Sequence, residues 1–345
     1  MDIPAQMPAL VQNESGYSQL DVGIELDSLD PYVTLASVPV PRPAANQVLI
    51  RVALASVNPS DISFIKGRYG QPREAGRPAG FEGVGTVVAS GGGFMAGRLR
   101  GKRVAFVARS AGSWAEYVVA GATECIPLRK DVRDEDGAAM IVNPLTAYAM
   151  FDLVRREGAK AFVMTAGASQ LCKLLAGLAR DEGLVAISIV RRDEQIEPLK
   201  ALGATHVLNS AAPGFVAQLR DVLAREKPRI LLDAVTGAQA ADIFHEMGSG
   251  ARWVVYGRLD TGPTVIREPG QMIFLGKRVE GFWLASWLRR APLLARINAA
   301  RAVQKRFASG RWSTDVAAII PLAEAHARLP AALSGANAGK VMLAP

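Results

Sequence analysis

Residues 161–192, AFVMTAGASQLCKLLAGLARDEGLVAISIVRR, hold a short apolar run, a turn of small residues, a helical pattern closed by Gly183, and a second apolar run. Apolar runs of this length that alternate with amphipathic helices predict parallel strands buried on both faces. The pattern continues as EQIEPLKALG, THVLNS, FVAQLRDVLAREK, RILLDAV, AQAADIFHEMG, RWVVYGRL and VEGFWL. It extends the sheet to about six strands, which suits a doubly wound α/β dinucleotide fold.

Upstream, residues 32–57 (YVTLASVPVPRPAANQVLIRVALASV) alternate apolar and polar positions around prolines, and short runs of the same kind recur at GVGTVVAS, KRVAFVA and SWAEYVVA. The first third therefore reads as all-β. Near residue 136 the pattern changes, and DEDGAAMIVNPLTAYAMFDLVRREG reads as helical segments that end at Gly158. After Trp287 come a helical stretch (LLARINAARAVQKRFASG), a strand-like AAIIPLAEAHARL and a closing GKVMLA.

With 345 residues, half of them apolar, the chain is too long for one ordinary core and reads as two domains. The apolar content is broken throughout by charge, Gly and Pro, so a soluble protein with no membrane partner is expected. The opening MDIPAQMPALVQNESGYSQLDVG has neither a basic start nor a continuous hydrophobic run, and the cytoplasm is the expected location. Two cysteines, Cys125 and Cys172, and three histidines, His206, His245 and His326, form no C-x-x-C pair and no H-E-x-x-H, so no metal site is expected.

A net charge of +8 permits attraction to nucleic acid or to a phosphate-bearing substrate, but the basic residues are dispersed. The densest groups, Arg98 to Arg103 and Arg289 with Arg290, read as solvated surface. Nucleic acid is therefore not an expected partner, although a non-catalytic nucleic-acid binder is the reading of another class.

The turn Thr165-Ala166-Gly167-Ala168-Ser169-Gln170 joins the first strand of the α/β region to its helix. Small residues there let backbone N–H groups approach a pyrophosphate at a helix N-terminus, where the dipole favours an anion. A complete G-x-G-x-x-G is absent, since Gln170 and Cys172 stand where glycines would ease packing, and a plain strand-to-helix turn is the alternative. The next strand ends at Val190, where an NAD-selective site places an acid against the ribose 2′-hydroxyl. Arg191 and Arg192 stand there instead, ahead of Asp193. Guanidinium groups pair with a 2′-phosphate, so NADPH is expected rather than NADH.

Six strings then line up in order: VNPSD at 57–61, IKGRYG at 65–70, FEGVG at 81–85, VNPLTAY at 142–148, LKALGATHV at 199–207 and GFWLASW at 281–287. Together they resemble the medium-chain dehydrogenase/reductase superfamily, and within it the zinc-independent branch of 2-enoyl thioester reductases and quinone oxidoreductases, from about residue 30 onward. The resemblance implies a GroES-like β-rich catalytic domain from residues 1–136 and 287–345, a Rossmann NADP-binding domain from residues 137–286, no zinc, and a homodimer.

The resemblance also implies a mechanism and a site. NADPH reduces an α,β-unsaturated carbonyl, and Tyr69 in the Lys66-Gly67-Arg68-Tyr69-Gly70 turn matches the tyrosine that serves as proton donor or carbonyl polariser; a packed loop aromatic is the other reading of Tyr69. Asn58 resembles a position near the nicotinamide ribose. Asn143 to Thr146 resemble the helix start beneath the cofactor, with Asn143 alternatively a helix cap. Tyr256 and Gly257 end a strand at the carboxyl edge, and Phe282, Trp283 and Leu284 resemble the segment flanking the nicotinamide, with Phe282 alternatively in the core. Lys340, of the closing Gly-Lys pair, stands near the adenosine phosphate or is an exposed terminal lysine. The substrate is an unsaturated carbonyl, an acyl thioester or, in a quinone oxidoreductase, a flat ring that needs no proton-donating tyrosine.

Overall fold

In the computed structural model, which describes residues 3–18, 23–108, 111–334 and 339–345, β1 (Gln6–Gln12) pairs antiparallel with β2 (Val33–Pro39). β3 (Gln47–Val57) is apolar along most of its length and exposes only Arg51 and Ala53. There follow α1 (Pro59–Ile65), β4 (Glu82–Ser90), α2 (Phe94–Leu99), β5 (Arg103–Val107), β6 (Tyr117–Gly121), β7 (Cys125–Pro127) and α3 (Asp134–Ala138). α4 (Val142–Arg156) opens an alternating run. It comprises β8 (Ala161–Met164), α5 (Gln170–Glu182), β9 (Val185–Val190), α6 (Ile196–Leu202), β10 (His206–Asn209), α7 (Phe215–Glu226), β11 (Ile230–Asp233), α8 (Gly237–Glu246), β12 (Arg252–Val255), α9 (Gly270–Phe274) and β13 (Arg278–Gly281). α10 (Leu284–Arg290), α11 (Leu293–Ala308), β14 (Val316–Pro321), α12 (Ala325–Ser334) and β15 (Lys340–Ala344) close the chain.

The first of two units comprises Met1–Val142 and Ala302–Pro345. Its seven-stranded sheet runs β14-β15-β3-β4-β5-β7, with β6 also on β3. The C-terminal strand lies antiparallel to the end of β3, Val341 opposite Val57, so the tail completes the sheet begun by the first third of the sequence. Phe106, Trp114, Leu29 and Ile50 are fully buried in its core.

The second unit, Asn143–Arg301, carries six parallel strands in the order β10-β9-β8-β11-β12-β13. This is the doubly wound order expected from the strand–helix alternation, and strand order reverses between β8 and β11, whose carboxyl ends are where ligands bind in such sheets. Val163, Ile187, Leu231, Phe244 and Trp253 fill the core.

The divisions fall at 142/143 and 301/302, later than the 136/137 and 286/287 expected from sequence. The first moves because α3 belongs to the β-rich unit. A side chain at Gly137 would meet Leu128 at 2.6 Å and Val84 at 2.9 Å, and Ala138 and Ala139 pack with Val84 and Met342. The second moves because, apart from Ala291 and Pro292, residues 284–308 are helical, and the division falls inside α11.

Candidate active site

Gly167 is drawn tightly against β9, its N–H donating to Ile189 O at 2.9 Å, and a Cβ there would stand 2.9 Å from Ser188 Cβ and 3.0 Å from Ile189 O. Only glycine fits this approach. Ala166, just before it, is left-handed at φ 49°, a conformation that costs a non-glycine residue about 1 kcal/mol. Ser169 caps α5, its Oγ accepting from Cys172 N–H at 3.3 Å, and the thirteen-residue helix begins directly at the turn. The close-packed glycine and the helix N-terminus suit the pyrophosphate of a dinucleotide.

Cys172 fits where a glycine was expected because its thiol is fully buried, donates to Thr165 O at 3.3 Å and lies 3.6 Å from Tyr256 Oη. Burial pushes both this thiol and the Tyr256 phenol upward, so both stay protonated. Gln170 is half-buried. Gly257 also has a packing reason: a Cβ there would lie 2.9 Å from Ala234 O.

Beneath the turn lies a buried network that the sequence reading did not single out. The Asp233 carboxylate, at the carboxyl end of β11, accepts from Thr165 Oγ1 (2.5 Å), Trp253 Nε1 (2.8 Å), Val235 N–H (2.9 Å) and Thr236 N–H (3.1 Å). Thr165 Oγ1 in turn accepts from Ala234 N–H at 3.0 Å, which ties the ends of β8 and β11 together at the point where strand order reverses. Thr236 has φ 66° and ψ −149°, a region otherwise kept by glycine, and the bond to Asp233 helps hold it there. An acid closing an otherwise apolar strand, as in RILLDAV, was the signal available in the sequence.

Arg191 and Arg192 follow β9 on the surface. Arg192 pairs with the exposed Glu194, while Arg191 has no carboxylate partner among the described residues. Asp193 is turned away to β10, where Asn209 Nδ2 donates to it at 2.8 Å. Phe282 extends the β13 pairing by donating its N–H to Val255 O and is half-buried, so the core reading of its side chain does not hold; Trp283 and Leu284 are also half-buried.

In the first unit, Tyr69 follows the end of α1. Gly67 takes φ 72° where a side chain would meet Ser18 N at 2.7 Å, and it turns the chain out of the helix. The turn is clamped by two buried cations. Lys66 donates to Gly23 O and Glu25 O, and Arg73 donates to Gly16 O and Ile65 O and pairs with Glu14. The half-buried Tyr69 ring packs on Phe81 with centroids 5.0 Å apart and edge-on to Phe64 at 6.4 Å, so the packing expected of a loop aromatic is present.

Asn58, Asp61, Glu82 and Lys340 form a second buried network. Lys340 is not an exposed terminal lysine: its ammonium donates to Val57 O and Asn58 Oδ1. Nor does Asn143 cap α4, because the helix opens one residue earlier and the Glu82 carboxylate receives the N–H groups of Ile141 and Val142. Asn143 and the buried Thr146 sit in the first turns of that helix.

Burial pushes the Asp61 carboxyl up to about 7, against bonds from Asn58 and the charge of Lys340; it also pushes Glu82 up and Lys340 down. The folded chain therefore keeps a proton on Asp61 that an unfolded carboxyl gives up above 3.8. That stabilisation is full in acid and is lost as pH rises through about 7.

The histidines are engaged elsewhere, His206 with Glu226, His245 with Gln271 and His326 with Asp30. Among the described residues no group of three His, Cys, Asp or Glu side chains could hold a metal ion.

The model of the alcohol dehydrogenase GroES-like domain matches residues 44–130, and that of the zinc-binding dehydrogenase matches residues 168–299. The chain is 31% identical over 292 residues to mitochondrial enoyl-[acyl-carrier-protein] reductase of Bos taurus, a match covering 82% of this chain and 74% of that one. Among solved structures, a putative NADPH:quinone reductase from Mesorhizobium loti is 58% identical with a TM-score of 0.96 and complete coverage of both chains. A putative NADPH:quinone reductase from Bacillus thuringiensis, 20% identical, shares the fold with a TM-score of 0.85 over 99% of each chain.

Proposed function

We propose that this chain, which belongs to the medium-chain dehydrogenase/reductase superfamily, is a zinc-independent, NADPH-dependent oxidoreductase that reduces the α,β-unsaturated carbonyl of a 2-enoyl thioester. The observation that carries this reading is Tyr69, a phenol in a clamped turn, in a chain similar over most of its length to an enoyl reductase. NADPH, when bound, supplies a hydride for the β-carbon. The turn from Thr165 to Gln170 would hold its pyrophosphate, Arg191 and Arg192 its 2′-phosphate, and Tyr256, Gly257 and residues 282–284 the nicotinamide end. As negative charge develops on the substrate carbonyl oxygen, a donor is needed there, and the α-carbon then needs a proton. The Tyr69 hydroxyl serves one of these two needs.

Quinone reduction is the second reading, supported by the similarity to the Mesorhizobium loti protein. Both readings use the same nucleotide site, so cofactor preference tests them jointly. Arg191→Ala is expected to weaken NADPH binding, followed by fluorescence titration, about 10- to 100-fold, the value of a charge-assisted contact, and to leave NADH binding unchanged. Equal weakening of both nucleotides would remove Arg191 from the 2′-phosphate site.

We further propose a homodimer built on β13. This strand is the edge of the parallel sheet, Val279 on it is 44% exposed, and Ile273 and Phe274 on the preceding helix are 76% and 83% exposed. An unpaired edge beside exposed apolar side chains suits pairing with a second copy across a two-fold axis. Sedimentation at micromolar concentration is expected to give a dimer, and Val279→Lys a monomer. A monomeric wild type would refute this assembly.

A further inference from the structure

Burying two carboxyl groups, an amide and an ammonium together is costly unless every one is hydrogen-bonded, and apolar side chains of similar volume usually stabilise a core at least as well. The charged cluster of the first unit therefore needs a reason other than stability, and its bonding supplies one. Glu82 Oε1 accepts from Asn58 Nδ2 at 3.0 Å, while Oε2 accepts from Ile141 N–H at 3.0 Å and Val142 N–H at 2.8 Å. Asn58 precedes α1, and its own N–H donates to Asp61 Oδ2 at 2.7 Å in the first turn of that helix. Val142 is the first residue of α4. One carboxylate thus joins the start of α1 to the start of α4.

The elements that supply this cluster also hold Tyr69. Phe64 lies on α1, three residues beyond Asp61, and Phe81 is Glu82's neighbour in the chain; both pack on the Tyr69 ring. A shift of Glu82 would therefore be felt on one side by the tyrosine's support and on the other by the helix that carries Asn143 and Thr146.

We propose that Glu82 is a positioning residue for the reductase reaction, fixing the Tyr69 segment through Asn58 and the first turn of α4 through the N–H groups of Ile141 and Val142. The assignment rests on the roles given above to Tyr69 and to the start of α4. Three N–H donors converge on its two oxygens, so the site requires a carboxylate of this length. Glutamine offers a single acceptor oxygen and an NH2 group that would face at least one of those donors. Aspartate keeps the charge but is one methylene too short to reach both sides.

The test compares wild type, Glu82→Gln and Glu82→Asp as full chains. The readouts are amide hydrogen exchange at residues 141 and 142, the NADPH dissociation constant, and kcat and KM with a 2-enoyl-coenzyme A. Expected in both variants are exchange at 141 and 142 at least about tenfold faster, and kcat lowered about tenfold or more with KM for the acceptor within about twofold. Failure of Glu82→Gln to fold leaves Glu82→Asp, which keeps the buried charge balance with Lys340, to decide. Full activity in Glu82→Asp would show that only the charge matters and would overturn the proposal, as would unchanged kcat in Glu82→Gln. A wild type that does not reduce the 2-enoyl-coenzyme A would be a failure of the functional reading, whereas an active wild type with indifferent variants would be a failure of this one.

Discussion

Tyr69→Phe is expected to lower kcat for reduction of a 2-enoyl-coenzyme A about 100-fold, at the lower end of what a positioned proton donor contributes, while leaving NADPH affinity within about twofold. The substitution removes only the hydroxyl. The ring contacts with Phe81 and Phe64, and the clamps from Lys66 and Arg73 that hold the turn, do not involve it, so these supports of the segment remain, and a thermal midpoint close to that of wild type would show that the loss reports chemistry. A flat quinone needs no proton from this group, and its reduction is expected to continue at close to the wild-type rate. The same variant therefore separates the two readings of the site. Unchanged enoyl reduction in Tyr69→Phe would reduce Tyr69 to the packed loop aromatic that the sequence also allowed, and robust quinone turnover beside it would make the quinone oxidoreductase reading the leading one.

The parallel sheet was legible because its signal is local: each apolar run is long enough for one strand, each helix ends in a glycine or a charged turn, and their alternation leaves little freedom of topology. The same holds for the turn at Gly167, whose smallness is written in the residues themselves. Cys172 shows where such reading stops. As a sequence it was a departure from a glycine pattern; in the fold it fills space between Thr165 and Tyr256, a residue 84 positions away. Glu82 was harder still, because an acid opening an apolar strand is ordinary at a surface, and only the return of the chain at Ile141 shows that the carboxylate is buried. Lys340 was read from its neighbours in the chain, whereas its surroundings are set by Val57 at the end of β3 and by Asn58, and Asn143 was read as a cap although α4 opens at Val142. β1 escaped notice because its partner β2 lies beyond a long connection.

Asp233→Ala is expected to damage the fold strongly, lowering stability by about 4 kcal/mol. Trp253 Nε1 and the N–H groups of Val235 and Thr236 would lose their acceptor, and each buried donor left unpaired costs roughly 1–3 kcal/mol. Trp253 is only 1% exposed, so water cannot readily take the place of the carboxylate there. Thr236, no longer held at φ 66°, is free to leave its glycine-like conformation, and that relaxation offsets part of the loss while dissolving the loop geometry at the carboxyl end of β11. At roughly 2–4 °C per kcal/mol for a unit of this size, the thermal midpoint should fall by about 10 °C, read by circular dichroism. Asp233→Asn is expected to fall between, since the amide keeps one acceptor oxygen but turns an NH2 toward either the indole or the backbone donors. Trp253→Phe removes one donor but leaves Asp233 Oδ2 the N–H of Thr236, so among these three variants its loss should be smallest. A midpoint for Asp233→Ala within about 2 °C of wild type would show that the network is not what joins β8 to β11 at the switch point, and that the nucleotide turn draws its rigidity from Gly167 and β9 alone.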